Sequence, residues 1–184
     1  MIHIRNAREG ETELLSEIGL RAWQRAMALI GESDAMTDGA RNAFRTFVDN
    51  NWLTITVVEQ NGQVAGWAAR EGLDETISDF WIDPSFNRQG LGAALLEHIE
   101  ADIFEQGFEE AAMQTHSGNT EAISFFQKHA CHPIGSDLVA IHVIAVGHSL
   151  VELYQLGHGR DGGLDFLQLL ETGNEVELKD PLTA

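Results

Sequence analysis

The sequence predicts an α/β (α+β) fold, a mixed, mostly antiparallel sheet of seven strands flanked by about four helices. Short alternating or β-branched runs recur seven times along the chain, and four segments between them carry apolar residues at helical spacing. An Asn61-Gly62 pair joins two of the runs, as the tight turn of a hairpin requires. At 184 residues the chain fits one domain with its own core.

Ile2 and Ile4 alternate with His3 and Arg5 as a first strand, and Leu14, Ile18, Ala22 and Leu29 then mark a helix from about Thr12 to Leu29. Gly31 to Asp38 holds turn formers and reads as a loop. Asp38 is placed to cap a second helix carrying Ala40, Phe44, Phe47 and Val48. Trp52 to Glu59 and Gln63 to Arg70 are the arms of the hairpin. One further strand runs from Glu75 to Ile82 and stops at Asp83-Pro84, since proline lacks the amide a ladder needs. Leu91, Leu95, Ile99 and Ile103 define a helix from Gly90 that ends at Gly107. Phe108 to Thr115 is a strand, and Asn119 caps a helix through about His129. Ile134 to Val146 and Ser149 to Leu156 form a closing antiparallel pair. The domain spans residues 1–156. Residues 157–184, with five glycines, six acids and two bases, read as an acidic extension.

Eleven basic residues against 29 acidic ones give a formal charge of -18, which repels phosphate backbones and anionic lipid and argues against nucleic-acid or membrane partners. A cationic or neutral substrate suits it, although an acidic surface also simply confers solubility. Cys131 is the one cysteine and suits a reducing compartment. The first residues lack the apolar run of a signal peptide, and no stretch reaches the roughly 20 apolar residues of a membrane span. The expectation is a soluble, cytoplasmic protein, with a homodimer left open.

The chemistry concentrates between Phe80 and Ala93. There the chain passes from strand to helix through Asn87-Arg88-Gln89-Gly90-Leu91-Gly92. A helix start leaves about four N–H groups without intrahelical partners, and glycines let an anion approach them. Arg88 adds a cation at the rim. A dinucleotide fingerprint would need glycine where Leu95 stands, and the Lys-Ser/Thr ending of a P-loop is absent. Gly90 and Gly92 can alternatively do no more than relieve crowding between helix and strand.

The whole stretch resembles the GNAT superfamily of N-acetyltransferases, whose hallmark reads Gln/Arg-x-x-Gly-x-Gly/Ala. Here Asn87, Gly90 and Gly92 take those positions, and Asn119, Ala122, Phe125 and Phe126 resemble the family's Asn-x-x-Ala-x-x-Phe-Tyr helix at matching spacing. The resemblance covers about Ile2 to Leu156. It implies acetyl-CoA as co-substrate, held by the backbone of Phe80, Trp81 and Ile82 at a splayed strand. Its pyrophosphate would be cradled by Arg88, Gln89, Gly90, Leu91, Gly92 and Ala93. Asn119 would bond the pantetheine arm and Phe126 would line the cofactor near its sulfur.

Transfer to an amine needs a neutral nucleophile, so a base must remove its proton. Asp79, three residues before Ile82, is the candidate, directly or through a water; as an edge carboxylate it can instead simply face solvent. Two departures from the family pattern matter: Asn87 replaces Gln or Arg, and Phe126 replaces the tyrosine that commonly protonates the leaving thiolate. Tyr154, the one tyrosine, falls in the last predicted strand as a core residue, so water is the expected proton source. Relatives that acetylate ribosomal-protein N termini carry Glu where Gln114 stands and tyrosine at Phe126. Their absence turns the expectation toward a small-molecule primary amine as acceptor. Peptide acetylation and a non-catalytic acyl-CoA-binding module are the alternatives. No metal is expected: His129, Cys131 and His132 neither converge nor reach four ligands. His116 is an outside candidate for acid–base work, and Trp23 and Met27 either touch the acceptor or belong to the core.

Overall fold

The computed structural model describes residues 1–28, 34–108, 110–116, 119–129, 131–134 and 137–146. The predicted strand from Ser149 to Leu156, Tyr154 and the acidic extension lie outside the described residues, as do the side chains of Gln114, His116, Cys131 and His132.

Strand β1 (Ile2–Asn6) leads into α1 (Thr12–Met27) and α2 (Asp34–Asn51), followed by the hairpin strands β2 (Ile55–Gln60) and β3 (Gln63–Ala69). The turn between them is the predicted one: Asn61 and Gly62 both have positive φ, 52° and 82°, and Gln60 faces Gln63. Helix α2 begins earlier than predicted, so Asp38 lies inside it and caps nothing. Ala35 and Met36 are strong helix formers, which favours the earlier start.

The stretch read as one strand from Glu75 to Ile82 is two. β4 (Thr76–Ile77) and β5 (Asp79–Ile82) flank Ser78, whose backbone N–H and hydroxyl both donate to the Ala69 carbonyl, at 3.0 and 3.1 Å. Helix α3 (Leu91–Glu105) then ends as predicted: Gly107 has φ 93°, and Phe108 N–H returns to the Ile103 carbonyl at 3.3 Å. β6 (Glu110–His116) and α4 (Thr120–His129) follow. Asn119 caps α4 by accepting from Ala122 N–H at 3.2 Å. β7 (Cys131–Ile134) and β8 (Asp137–Val146) pair antiparallel, so Ile134, expected to open the strand running to Val146, instead ends β7; the expected pairing of that strand with Ser149 to Leu156 lies outside the described residues. The long apolar run Leu138 to Val146 finds its antiparallel partner immediately before it, across a short turn.

Two four-stranded sheets result among the described residues. One has order β1-β2-β3-β5 and is antiparallel throughout; the other has order β4-β6-β8-β7, with parallel pairing of β4 with β6 and of β6 with β8. Helices cover both faces of the first sheet. α1 and α2 pack Leu15, Ile18, Phe44 and Phe47 onto Val57 and Trp67. On the opposite side Leu91, Leu95, Ile99 and Ile103 of α3, with Phe126 of α4, pack onto Val58, Ala65 and Ala68. The buried indole of Trp67 is satisfied, its N–H donating to the Leu15 carbonyl at 2.8 Å.

Arg5 clamps the start of the fold, its guanidinium bonding Glu11 at 2.6 Å and Glu59 at 2.5 Å. The Arg5 hydrogen bond, working against desolvation, holds both carboxyls below their ordinary range. Their folded values lie below the unfolded glutamate value of about 4.3, so the stability they contribute is complete above that pH. It is lost as pH falls through the depressed folded values. The melting temperature should therefore be level down to about pH 5 and fall steeply below about pH 4, and Arg5→Met should flatten the drop. Melting curves indifferent to acid in the unaltered protein would contradict this.

Candidate active site

β4 and β5 are consecutive, yet they belong to different sheets. β4 pairs with β6 through Thr76↔Ala112 and Ile77↔Met113, and β5 turns to β3 through Asp79↔Ala69 to Ile82↔Gly66. Beyond Ile77, therefore, β5 and the end of β6 diverge. Among the described residues no strand pairs with the edge of β5 that faces away from β3. Nor does any pair with Gln114 to His116 on the side away from β8. A splayed opening lies between them, with Phe80, Trp81 and Ile82 along its β5 side.

Strand alternation divides the lining of this opening. Phe80 and Ile82 point to the α3/α4 side and join its apolar cluster, whereas Trp81 packs on the α1/α2 side. Asp79 shares the Trp81 face. It is not the solvent-facing carboxylate that its type suggests, being 2% exposed, and it accepts a hydrogen bond from the Trp81 indole at 2.8 Å. On the other side Phe126 meets Phe80 and Phe125 edge to face, with ring centroids 5.4 and 5.0 Å apart. Phe126 is buried, so a nonpolar ring stands where the family pattern has a phenol.

The loop expected to hold an anion runs from the end of β5 to the start of α3. Asp83 caps the short turn Pro84–Phe86, accepting from Ser85 N–H at 2.9 Å and from its hydroxyl at 2.6 Å. Arg88 and Gly90 both take left-handed conformations, φ 60° and 82°, and Gly90 is the N-cap of α3. No side chain caps that end, so the first-turn N–H groups are available to a ligand. Gly92 is the crowded glycine: a Cβ there would stand 3.2 Å from the Phe125 ring. Arg88, Gln89 and Gly90 are exposed, Gly92 and Ala93 half-buried. The side chain of Leu91 is in the core, which leaves only its backbone for a ligand. Asn119 bonds its own helix through its oxygen and Thr115 Oγ1, at 3.5 Å, through its amide.

Two arginines missed in the sequence join the site. Arg21 bonds Asp83 at 2.5 Å, and Arg25, one turn on, forms two bonds to Glu121 at 3.0 and 3.2 Å, tying α1 to α4. Their spacing of four was the legible signal; their partners 62 and 96 residues away were not. Burial works against the Asp83 charge, but the bonds from Ser85 and Arg21 outweigh it and hold its carboxyl below the ordinary range. Glu121 is held low as well, first by the Arg25 hydrogen bond and last by the charge of Arg88. Arg88 thus stands near the α4 N-terminus as well as that of α3. Trp23 and Met27 belong to the α1/α2 core cluster, which favours the packing alternative for both. No three His, Cys, Asp or Glu side chains among the described residues group as metal ligands do.

The sequence matches the Acetyltransferase (GNAT) family over residues 19–130. It is similar to the [Ribosomal protein bS18]-alanine N-acetyltransferase of Escherichia coli (strain K12), 36% identical over 70 residues, which are 37% of this chain and 47% of that protein. The chain thus spans about half the length of the curated relatives it matches. Among solved structures the fold is similar to the PaiA N-acetyltransferase of Thermoplasma acidophilum in complex with coenzyme A. The TM-score is 0.61 at 18% identity, over 75% of this chain and 96% of that one. It is likewise similar to the apo form of YjaB from Escherichia coli, with TM-score 0.60 at 22% identity over 73% and 85% of the two chains. The Escherichia coli ribosomal-protein-S18-alanine N-acetyltransferase follows at 0.52 and 22%, over 73% and 80%.

Proposed function

The chain belongs to the Acetyltransferase (GNAT) family, and from that premise we propose that it transfers the acetyl group of acetyl-CoA directly to a primary amine. The observation that carries this is the splayed opening between β5 and β6 with an uncapped helix N-terminus at its mouth. The residues fit the co-substrate. A pyrophosphate needs backbone donors that nothing else claims, and the start of α3 on a left-handed glycine provides them.

Acetyl-CoA supplies an activated thioester, and the protein supplies position and proton traffic. Backbone N–H groups of Gly92 and Ala93 and the Arg88 guanidinium hold the diphosphate, while Asn119 and the β5 edge receive the pantetheine arm. An N–H of that edge near Ile82 stabilises the carbonyl oxygen as it gains charge. Asp79 takes the proton from the acceptor ammonium, and water protonates the departing thiolate, since Phe126 has no proton to give.

The acceptor we favour is a small-molecule amine in a cytoplasmic setting. Gln114 and Phe126 support it, standing where the family pattern for N-terminal acetylation has glutamate and tyrosine. Acetylation of a protein N-terminus is the second reading. Similarity to enzymes named for acetylating the alanine of a ribosomal protein supports it. A thiol-release screen with acetyl-CoA decides between them: turnover with small amines and none with N-terminal peptides fits the first, the reverse fits the second. Tight acetyl-CoA binding with no release on either panel would sink the enzymatic reading. Loss of the Arg88 charge acts on binding alone, so Arg88→Ala should raise KM for acetyl-CoA roughly three- to tenfold at near-constant kcat.

A further inference from the structure

We propose that Trp81 is the positioning residue for Asp79, holding that carboxylate in the orientation and charge state in which it accepts the acceptor's proton. This rests on the assignment of Asp79 as the base. The indole Nε1–H donates to Asp79 Oδ1 at 2.8 Å, and the two side chains share one face of β5 by the alternation of a strand. Asp79 is 2% exposed, so bulk water does not stand in for that donor. A hydrogen bond to the charged form of an acid favours that form, and in a dry site the effect is larger than in water.

The indole is itself held. Its ring meets Phe44 of α2 edge-on, with centroids 5.2 Å apart and planes at 80°. Across the sheet it faces Trp67, whose own N–H is fixed to Leu15 of α1. The direction of the Trp81 N–H is thus set by packing from both helices, and the carboxylate inherits that direction.

Several of the charged side chains on the elements around β5 are paired, and others are exposed. On α1, Arg21 is bonded to Asp83, Glu17 to Arg41 of α2, and Arg25 to Glu121 of α4. Arg70, at the end of β3, bonds the Asp74 carbonyl and Gln106. On α2, Asp38, Arg45 and Asp49 are exposed, and on α4 Lys128 is exposed and the His129 ring lies against Phe125. The Trp81 indole is a neutral donor built into the strand itself and aimed at Asp79.

The test is the pH profile of kcat/KM. Trp81→Phe keeps an aromatic ring beside Phe44 and removes the N–H. Its acidic limb should move to higher pH by roughly one unit, the size expected for one hydrogen bond to a charged group, with a fall in kcat larger than any change in KM. A variant that is slower but whose limb superimposes on that of the unaltered protein would overturn the proposal, since a merely structural role moves the rate and not the limb. If Trp81→Phe does not fold, the indole proton resonance of Trp81 in the unaltered protein gives the same answer. It should shift with the midpoint of the limb, and a resonance insensitive to pH across that limb refutes the positioning role. Failure of the base assignment is separable, because it appears as undiminished turnover in Asp79→Asn.

Discussion

Asp79→Asn should lower kcat/KM for acetyl transfer by about 10²- to 10⁴-fold, the range that a positioned general base contributes, while leaving the melting temperature nearly unchanged. The two halves of this expectation come from the same geometry. Asparagine keeps the size of the side chain and an oxygen that can accept from the Trp81 indole, so packing in the buried site survives. What it cannot do is take a proton from an ammonium. Acetyl-CoA affinity, measured without an acceptor, should also survive, since the Asp79 side chain is not among the groups proposed to hold the co-substrate. A variant that turns over at the unaltered rate would mean that the acceptor loses its proton elsewhere.

The second large effect is expected at Gly66, far from any predicted motif. Its missing Cβ is what lets β5 lie against β3 at this point. A Cβ built there would stand 2.6 Å from the Trp81 carbonyl oxygen and 3.1 Å from the Ile82 Cα. Backbone atoms cannot rotate away, so Gly66→Ala must push β5 outward. Overpacking of this kind costs about 1–3 kcal/mol, which in a domain of this size lowers the melting temperature by several degrees, roughly 2–4 °C for each kcal/mol. Because the displaced residues line the opening, KM for acetyl-CoA should rise together with the loss of stability. Gly39 in α2 is the control: nothing lies within 4 Å of its Cβ position, and Gly39→Ala should stabilise by up to about 1 kcal/mol. If Gly66→Ala melts like the unaltered protein, the close approach of β3 and β5 has no such consequence.

Much of this fold was legible because it is written in local chemistry. Asn61-Gly62 has to turn, Gly107 has to end a helix, Asn119 has a side chain made for a cap, and all three do as predicted. The left-handed N-cap at Gly90 belongs to the same class, since a glycine at a helix start is a local statement. What escaped prediction depends on distant partners. Nothing in Thr76 to Ile82 marks Ser78 as a break; the break exists because the Ala69 carbonyl, nine residues back, takes both of its donors. The burial of Asp79 is equally non-local: a carboxylate on a strand reads as exposed until Trp81 and α1 cover it. Arg21 and Arg25 read as an ordinary solvated face of α1, and only the return of the chain at Asp83 and Glu121 gives them work.

The break at Ser78 also bears on how the molecule assembles. The sheet of β1, β2, β3 and β5 makes all its pairings within the first 82 residues, mostly between chain neighbours, and needs nothing downstream to close its ladder. The second sheet hangs on a two-residue parallel pairing of β4 with β6, across the whole of α3. Short sequence separations form first and parallel pairings late. The seam through which the co-substrate is proposed to enter is thus also the boundary between an early and a late folding unit. Of the two ladders, it is the one with fewest bonds that can yield locally while the rest of the molecule stays shut.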